Sequence, residues 1–111
     1  MQKFLDIVQM NIPDIQKEFD EYQKENFPVR SPEFFCLELN GEAGELANLE
    51  KKIWKGRDIT PERLADEAAD VFIALMNYAN SRDIALGEAV RNKLKIIDEK
   101  MREMKRQGKE Y

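Results

Sequence analysis

Ala65-Asp66-Glu67-Ala68-Ala69-Asp70-Val71-Phe72-Ile73-Ala74-Leu75-Met76 is apolar nearly all round beyond Asp70. A helix of that composition is expected to be central and buried on most sides. Its start is marked upstream, where Thr60 offers a capping hydroxyl, Pro61 suits the first helical position and Glu62 puts an acid in the first turn. The same signal stands at Ser31-Pro32-Glu33, which opens a helix expected from about Pro32 to Lys55 and stopped by Gly56. The helix after Thr60 should reach about Ser81, with Arg82-Asp83-Ile84 as a short connection. A last helix covers roughly Leu86 to Arg106, with Val90, Leu94, Ile97 and Met101 on one stripe. Toward the N-terminus, Asn11-Ile12-Pro13-Asp14 predicts a break followed by a helix start. Ile15, Phe19 and Tyr22 carry helical spacing from Asp14 to Asn26, and Phe27-Pro28-Val29-Arg30 reads as a loop. No Val/Ile/Thr alternation asks for a strand. The expected fold is all-α, a bundle of four to five helices forming a single domain over residues 1–111.

Composition narrows the chemistry. Eighteen basic against 22 acidic residues give a net charge of −4, the wrong sign for a nucleic-acid binder held by counterion release. No apolar run is long enough to span a bilayer, and no basic start leads into a signal segment, so no membrane role is expected. Cys36 is the single cysteine, so it forms no internal disulfide. It reads as a small buried residue, and the expected compartment is the cytoplasm. There is no histidine. That absence removes Ser-His-Asp triads, Cys-His pairs, His-ligated zinc and Glu-x-x-His di-iron sites together. Catalysis, if any, runs on carboxylates, lysines, arginines and a hard metal ion. A chain of 111 residues has a modest core, which a second copy would extend. The charged tail from Lys93 to Tyr111 reads as a solvated, ion-paired helix face, with the alternative that some lysines reach an anionic ligand.

Acids stand where a core is expected. At about 100° per residue, Glu38, Glu42 and Glu45 share one face of the second long helix, beside Leu39, Leu46 and Leu49. Gly41, Ala43, Gly44 and Ala47 let a backbone or ligand approach, and two helical glycines cost about 1 kcal/mol each relative to alanine. On the next helix Glu67 and Asp70 share a face with Ala74. A carboxylate at the mouth of such an apolar segment is costly unless paired or bound to a cation. Two i, i+3 acid pairs, Glu42 with Glu45 and Glu67 with Asp70, put four carboxylates around one point. Mg²⁺ or Mn²⁺, which favour carboxylate oxygen, resolve the repulsion. The plainer alternative is that these acids pair with Lys51 and Lys52 or face water.

The stretch Gly41-Glu42-Ala43-Gly44-Glu45-Leu46-Ala47 followed by Glu67-Ala68-Ala69-Asp70-Val71 resembles the MazG-like nucleoside triphosphate pyrophosphohydrolases. Their signature is Glu-x-x-Glu on one helix and Glu-x-x-Asp on the next, and the similarity runs from about Phe27 to Lys95. The resemblance implies an all-α homodimer or homotetramer. Such an enzyme hydrolyses the α–β phosphoanhydride of a (deoxy)nucleoside triphosphate to monophosphate and pyrophosphate. By position, Glu42, Glu45, Glu67 and Asp70 would hold Mg²⁺, with Mn²⁺ as a substitute. Many members carry two adjacent acids at the start of the motif, where this chain has Gly41 before Glu42, as members resembling dCTP pyrophosphatases do. The expected base toward water is Glu42 or Glu45, with Glu38 as an outer helper. Lys51, Lys52 and Lys93 are the expected phosphate contacts, Lys93 matching the family's last-helix lysine. Ile97 falls where the family's asparagine is expected. Trp54 and Phe27 are candidates to stack on a base, with core or dimer packing as the alternative.

Two other readings compete. Glu67-Ala68-Ala69-Asp70 with Ile84-Ala85-Leu86 also resembles phosphoribosyl-ATP pyrophosphohydrolase of histidine biosynthesis, which shares the metal chemistry but not the substrate. A non-catalytic helical interaction module would need no divalent ion and would tolerate Glu67→Gln and Asp70→Asn.

Overall fold

Ser31 and Thr60, each followed by proline, cap the helices they open. Ser31 Oγ accepts from the Phe34 N–H at 3.2 Å and Thr60 Oγ1 from the Arg63 N–H at 3.3 Å. These helices are α2 (Pro32–Trp54) and α3 (Pro61–Ser81), preceded by α1 (Gln2–Asn26) and followed by α4 (Leu86–Arg106). The computed structural model describes residues 1–111, with four helices and no strand, an all-α chain. No helix is long and apolar enough to cross a membrane. Gly56, at φ 85°, takes the left-handed conformation that ends α2, as a glycine after a helix does at least steric cost.

Two compact units divide the chain, Phe19–Asp83 and Met1–Glu18 with Ile84–Tyr111, and α1 passes from one to the other. In the Phe19–Asp83 unit, α2 and α3 pack along a seam with heptad-like spacing. Phe35, Leu39, Glu42, Leu46 and Leu49 are buried or half-buried on α2, at alternating intervals of four and three. On α3 the matching set is Leu64, Glu67, Val71, Ala74 and Tyr78. The helices are antiparallel: Glu33 near the start of α2 meets Arg82 at the end of α3 at 3.4 Å. The end of α1 lies against α3, with the Phe19 and Phe72 rings 6.0 Å apart.

The other unit corrects one expectation. No break occurs at Asn11–Asp14; α1 runs on through Pro13. Proline inside a helix removes one backbone bond and crowds the preceding turn, so something must offset it. Pro13 packs on Gly87 of α4, where an added Cβ would come within 3.0 Å of Pro13 Cδ. Three residues along α1, Gln16 does the work of a helix cap. Its Oε1 accepts from the Leu86 N–H at 3.0 Å and its Nε2 donates to the Ile84 carbonyl, at a helix start whose N-cap, Ala85, has no capping side chain. These tertiary contacts hold what the local sequence would interrupt.

The third helix is enclosed as expected over its second half, where Ala74, Met76, Asn77 and Ala79 are buried although they point to different sides of the helix, and Leu75 and Tyr78 are half-buried; one turn earlier Phe72 and Ile73 are 45% and 41% exposed. One further expectation fails. Cys36 is exposed rather than buried. It follows Phe35, which occupies the seam, and about 100° of rotation turns the next side chain away.

Candidate metal centre and adjoining cavities

The α2–α3 seam is apolar except where Glu42 and Glu67 occupy positions that Leu or Val fill in the neighbouring turns. Asp70, three residues after Glu67, lies half-buried beside them. One carboxylate oxygen from each of Glu42, Glu67 and Asp70 lies within 4.8 Å of the others. None of the chain's four ion pairs involves these acids, so pairing with Lys51 or Lys52 does not neutralise them. Glu67 carries the strain most visibly. Its Oε2 is shut off from solvent and takes no hydrogen bond. Burial first, then contact with Glu42 and the charges of Glu42, Glu45 and Asp70, push its carboxyl above the ordinary 4.5.

An orphaned carboxylate oxygen beside two more carboxylates is relieved by a proton or by a cation. The donor set is all oxygen and anionic, which suits a hard divalent ion such as Mg²⁺ or Mn²⁺ and disfavours soft metals. The residues present therefore fit the ion expected from the motif. Glu45, the fourth expected ligand, stands exposed beside the trio. It bears on Glu67 through its charge but is not one of the three converging groups. It lies off the seam, one position before Leu46. Glu38 is exposed one turn before Glu42.

Glu38 borders a cavity of about 250 Å³ that also reaches Phe27, Phe35 and Asn77. A second cavity of about 250 Å³ adjoins it, sharing Gln23, Phe27, Arg30 and Asn77. Phe27, the candidate base-stacking residue, lines both and is half exposed. Trp54 is 88% exposed and sits twelve residues beyond Glu42, about 18 Å along α2 and away from Phe27. Lys51 is exposed and Lys52 half-buried on the same stretch of α2, and Lys93 is exposed on α4.

A scan of family models, a search of curated proteins and a search of solved structures each return no match. The functional reading accordingly rests on the chain's own residues.

Asn77 escaped the sequence reading. It is 7% exposed, the chain's one buried polar residue, and its Oδ1 takes no hydrogen bond. The available signal was a lone amide interrupting the apolar run from Val71 to Ala79.

Proposed function

We propose that this chain is a Mg²⁺-dependent nucleoside triphosphate pyrophosphohydrolase of MazG-like kind, acting in the cytoplasm. The observation that carries the proposal is the convergence of Glu42, Glu67 and Asp70 within 4.8 Å, unneutralised by any lysine or arginine, with Glu67 Oε2 left bare. Such a group repels a triphosphate until a cation inverts its sign. A divalent ion held there supplies positive charge to the phosphates and acidity to a water. Glu42, Glu67 and Asp70 are the holding residues. Glu45, exposed beside them, is the carboxylate left to take a proton from water, while Glu42 is committed to the cluster.

The reaction proposed is attack of water on the α-phosphorus. The new P–O bond forms as the bridge to the β-phosphate breaks, pyrophosphate leaves and the proton passes to the carboxylate. Lys51 and Lys52, on α2 beyond the acids, are the cations proposed to meet the phosphates. A homodimer or homotetramer is proposed as the working form, since Leu37, Phe72 and Ile73 stay exposed in the single chain.

The test is a product assay. With Mg²⁺ and each of the common ribo- and deoxyribonucleoside triphosphates, monophosphate and pyrophosphate should appear in equal amounts, and EDTA should stop their release. Diphosphate with orthophosphate would contradict α–β hydrolysis. Turnover of phosphoribosyl-ATP alone would move the assignment to the histidine-pathway enzyme.

A further inference from the structure

About two turns beyond Asp70 on α3, one buried amide is left with an unmet acceptor. Asn77 Nδ2 donates to Gln23 Oε1 at 3.4 Å, which orients the amide, and Asn77 Oδ1 is left buried with no partner. A buried acceptor without a donor is costly, and such an atom calls for an explanation. Asn77 lines both adjoining cavities, whose remaining walls include Phe27 and Phe35. At about 250 Å³ each is smaller than the roughly 300–1,000 Å³ of a site that encloses a drug-sized ligand, and suits a single ring system.

The register of the seam sets this cavity against the acids. Asn77 lies seven residues beyond Asp70 on α3, about 10 Å or two turns, and Glu38 lies one turn before Glu42 on α2. Because the helices are antiparallel, both steps lead the same way, from the carboxylates to the cavity. That separation matches a nucleotide laid along the seam, with its phosphates at the acids and its base in the cavity.

We propose that Asn77 is a specificity-determining residue, and that the cavity it lines receives a nucleobase bearing an exocyclic amine, as cytosine and adenine do. The amine N–H donates to Asn77 Oδ1. Uracil and hypoxanthine present a carbonyl at the same place, setting lone pair against lone pair. The nucleotide as occupant rests on the pyrophosphohydrolase reading; the amine preference rests on the amide. Gln23 has a part as well, because its Oε1 keeps the Asn77 donor engaged and the acceptor free.

The experiment compares kcat/KM for CTP with UTP and for ATP with ITP, with Mg²⁺, in the wild-type chain, Asn77→Leu and Gln23→Glu. In parallel, the Tm increase given by CMP is set against that given by UMP. The wild type should favour the amine-bearing member of at least one pair by about tenfold or more, since a buried hydrogen-bonding site rejects an analogue it cannot pair with. Asn77→Leu, of similar size, should bring the ratio to near unity, whereas Gln23→Glu, which can only accept from Asn77, should keep it. Turnover without discrimination in the wild type, a result that needs no variant to fold, overturns the proposal and leaves the pyrophosphohydrolase reading standing. No turnover of any nucleotide, with CMP still raising Tm above UMP, supports the amine-reading cavity and overturns the hydrolase reading. Neither turnover nor a difference between CMP and UMP overturns both.

Discussion

Asp70→Asn is expected to lower pyrophosphate release by at least about 10²–10³-fold, the scale on which loss of one preorganised electrostatic group acts. The change keeps the shape of the side chain and removes one charge from the three-carboxylate group. Asp70 has no ion-pair partner in this chain, so the substitution breaks no bridge. Removing one of several crowded like charges also relieves repulsion in the metal-free protein. The expected signature is therefore lost turnover with an unchanged helical circular dichroism spectrum and an equal or higher Tm in EDTA. Retained turnover in Asp70→Asn would remove this residue from the site. The same variant separates the enzyme from a helical interaction module, in which the asparagine is tolerated on every count.

The second large effect is on stability and depends on pH. The Glu67 carboxyl is held above the ordinary 4.5, by burial first and by its acidic neighbours after that. The folded chain thus holds a proton that the unfolded chain has released, and stability falls as pH rises from about that value through the folded one. In EDTA the Tm should decline from pH 4.5 toward neutrality, and Glu67→Gln should flatten the decline and raise the neutral Tm. Mg²⁺ should act in the opposite sense. At a hundred times its Kd, a ligand specific to the folded state adds about 2.7 kcal/mol, or at least about 10 °C in a domain of this size. Because the ion competes with the proton on Glu67, the Mg²⁺ increment should be larger at pH 8 than at pH 5 and absent in Glu67→Gln. Thermal melts across that range with Mg²⁺ and with EDTA measure all of these. A Tm indifferent to Mg²⁺ at both pH values would argue against the centre.

Local chemistry carried much of the fold into view. Ser31-Pro32 and Thr60-Pro61 announce helix starts, Gly56 announces an end, and α2, α3 and α4 appear within a residue of their expected bounds. α1 was harder because the fate of Pro13 depends on Gly87, a residue 74 positions away that sequence-local rules cannot bring to it. The exposure of Cys36 turns on which neighbouring residue takes the seam, and Phe35 does.

The centre divides along the same line. Helical periodicity brings Glu42 near Glu45 and Glu67 near Asp70, because those relations lie within one helix. Which acids meet across helices depends on the α2–α3 register, and that register selects Glu42, Glu67 and Asp70 while leaving Glu45 at the margin. Phe27 was visible as an aromatic in a loop, with stacking on a base or packing in a core or dimer both open; its exposure is a finding of the structure. Asn77 was not, since an amide within an apolar run gains meaning only when its hydrogen bonds can be counted.

The central claim is that three converging carboxylates hold a divalent ion, and manganese tests it without reference to turnover. EDTA-treated protein, freed of chelator, is titrated with Mn²⁺ while the electron paramagnetic resonance signal of the free ion is followed. The account predicts that the signal is suppressed until each chain has taken up at least one equivalent, that added Mg²⁺ restores it, and that Asp70→Asn and Glu67→Gln abolish the suppression. A free-ion signal that grows in proportion to added Mn²⁺ from the first aliquot, in wild type and variants alike, would contradict it.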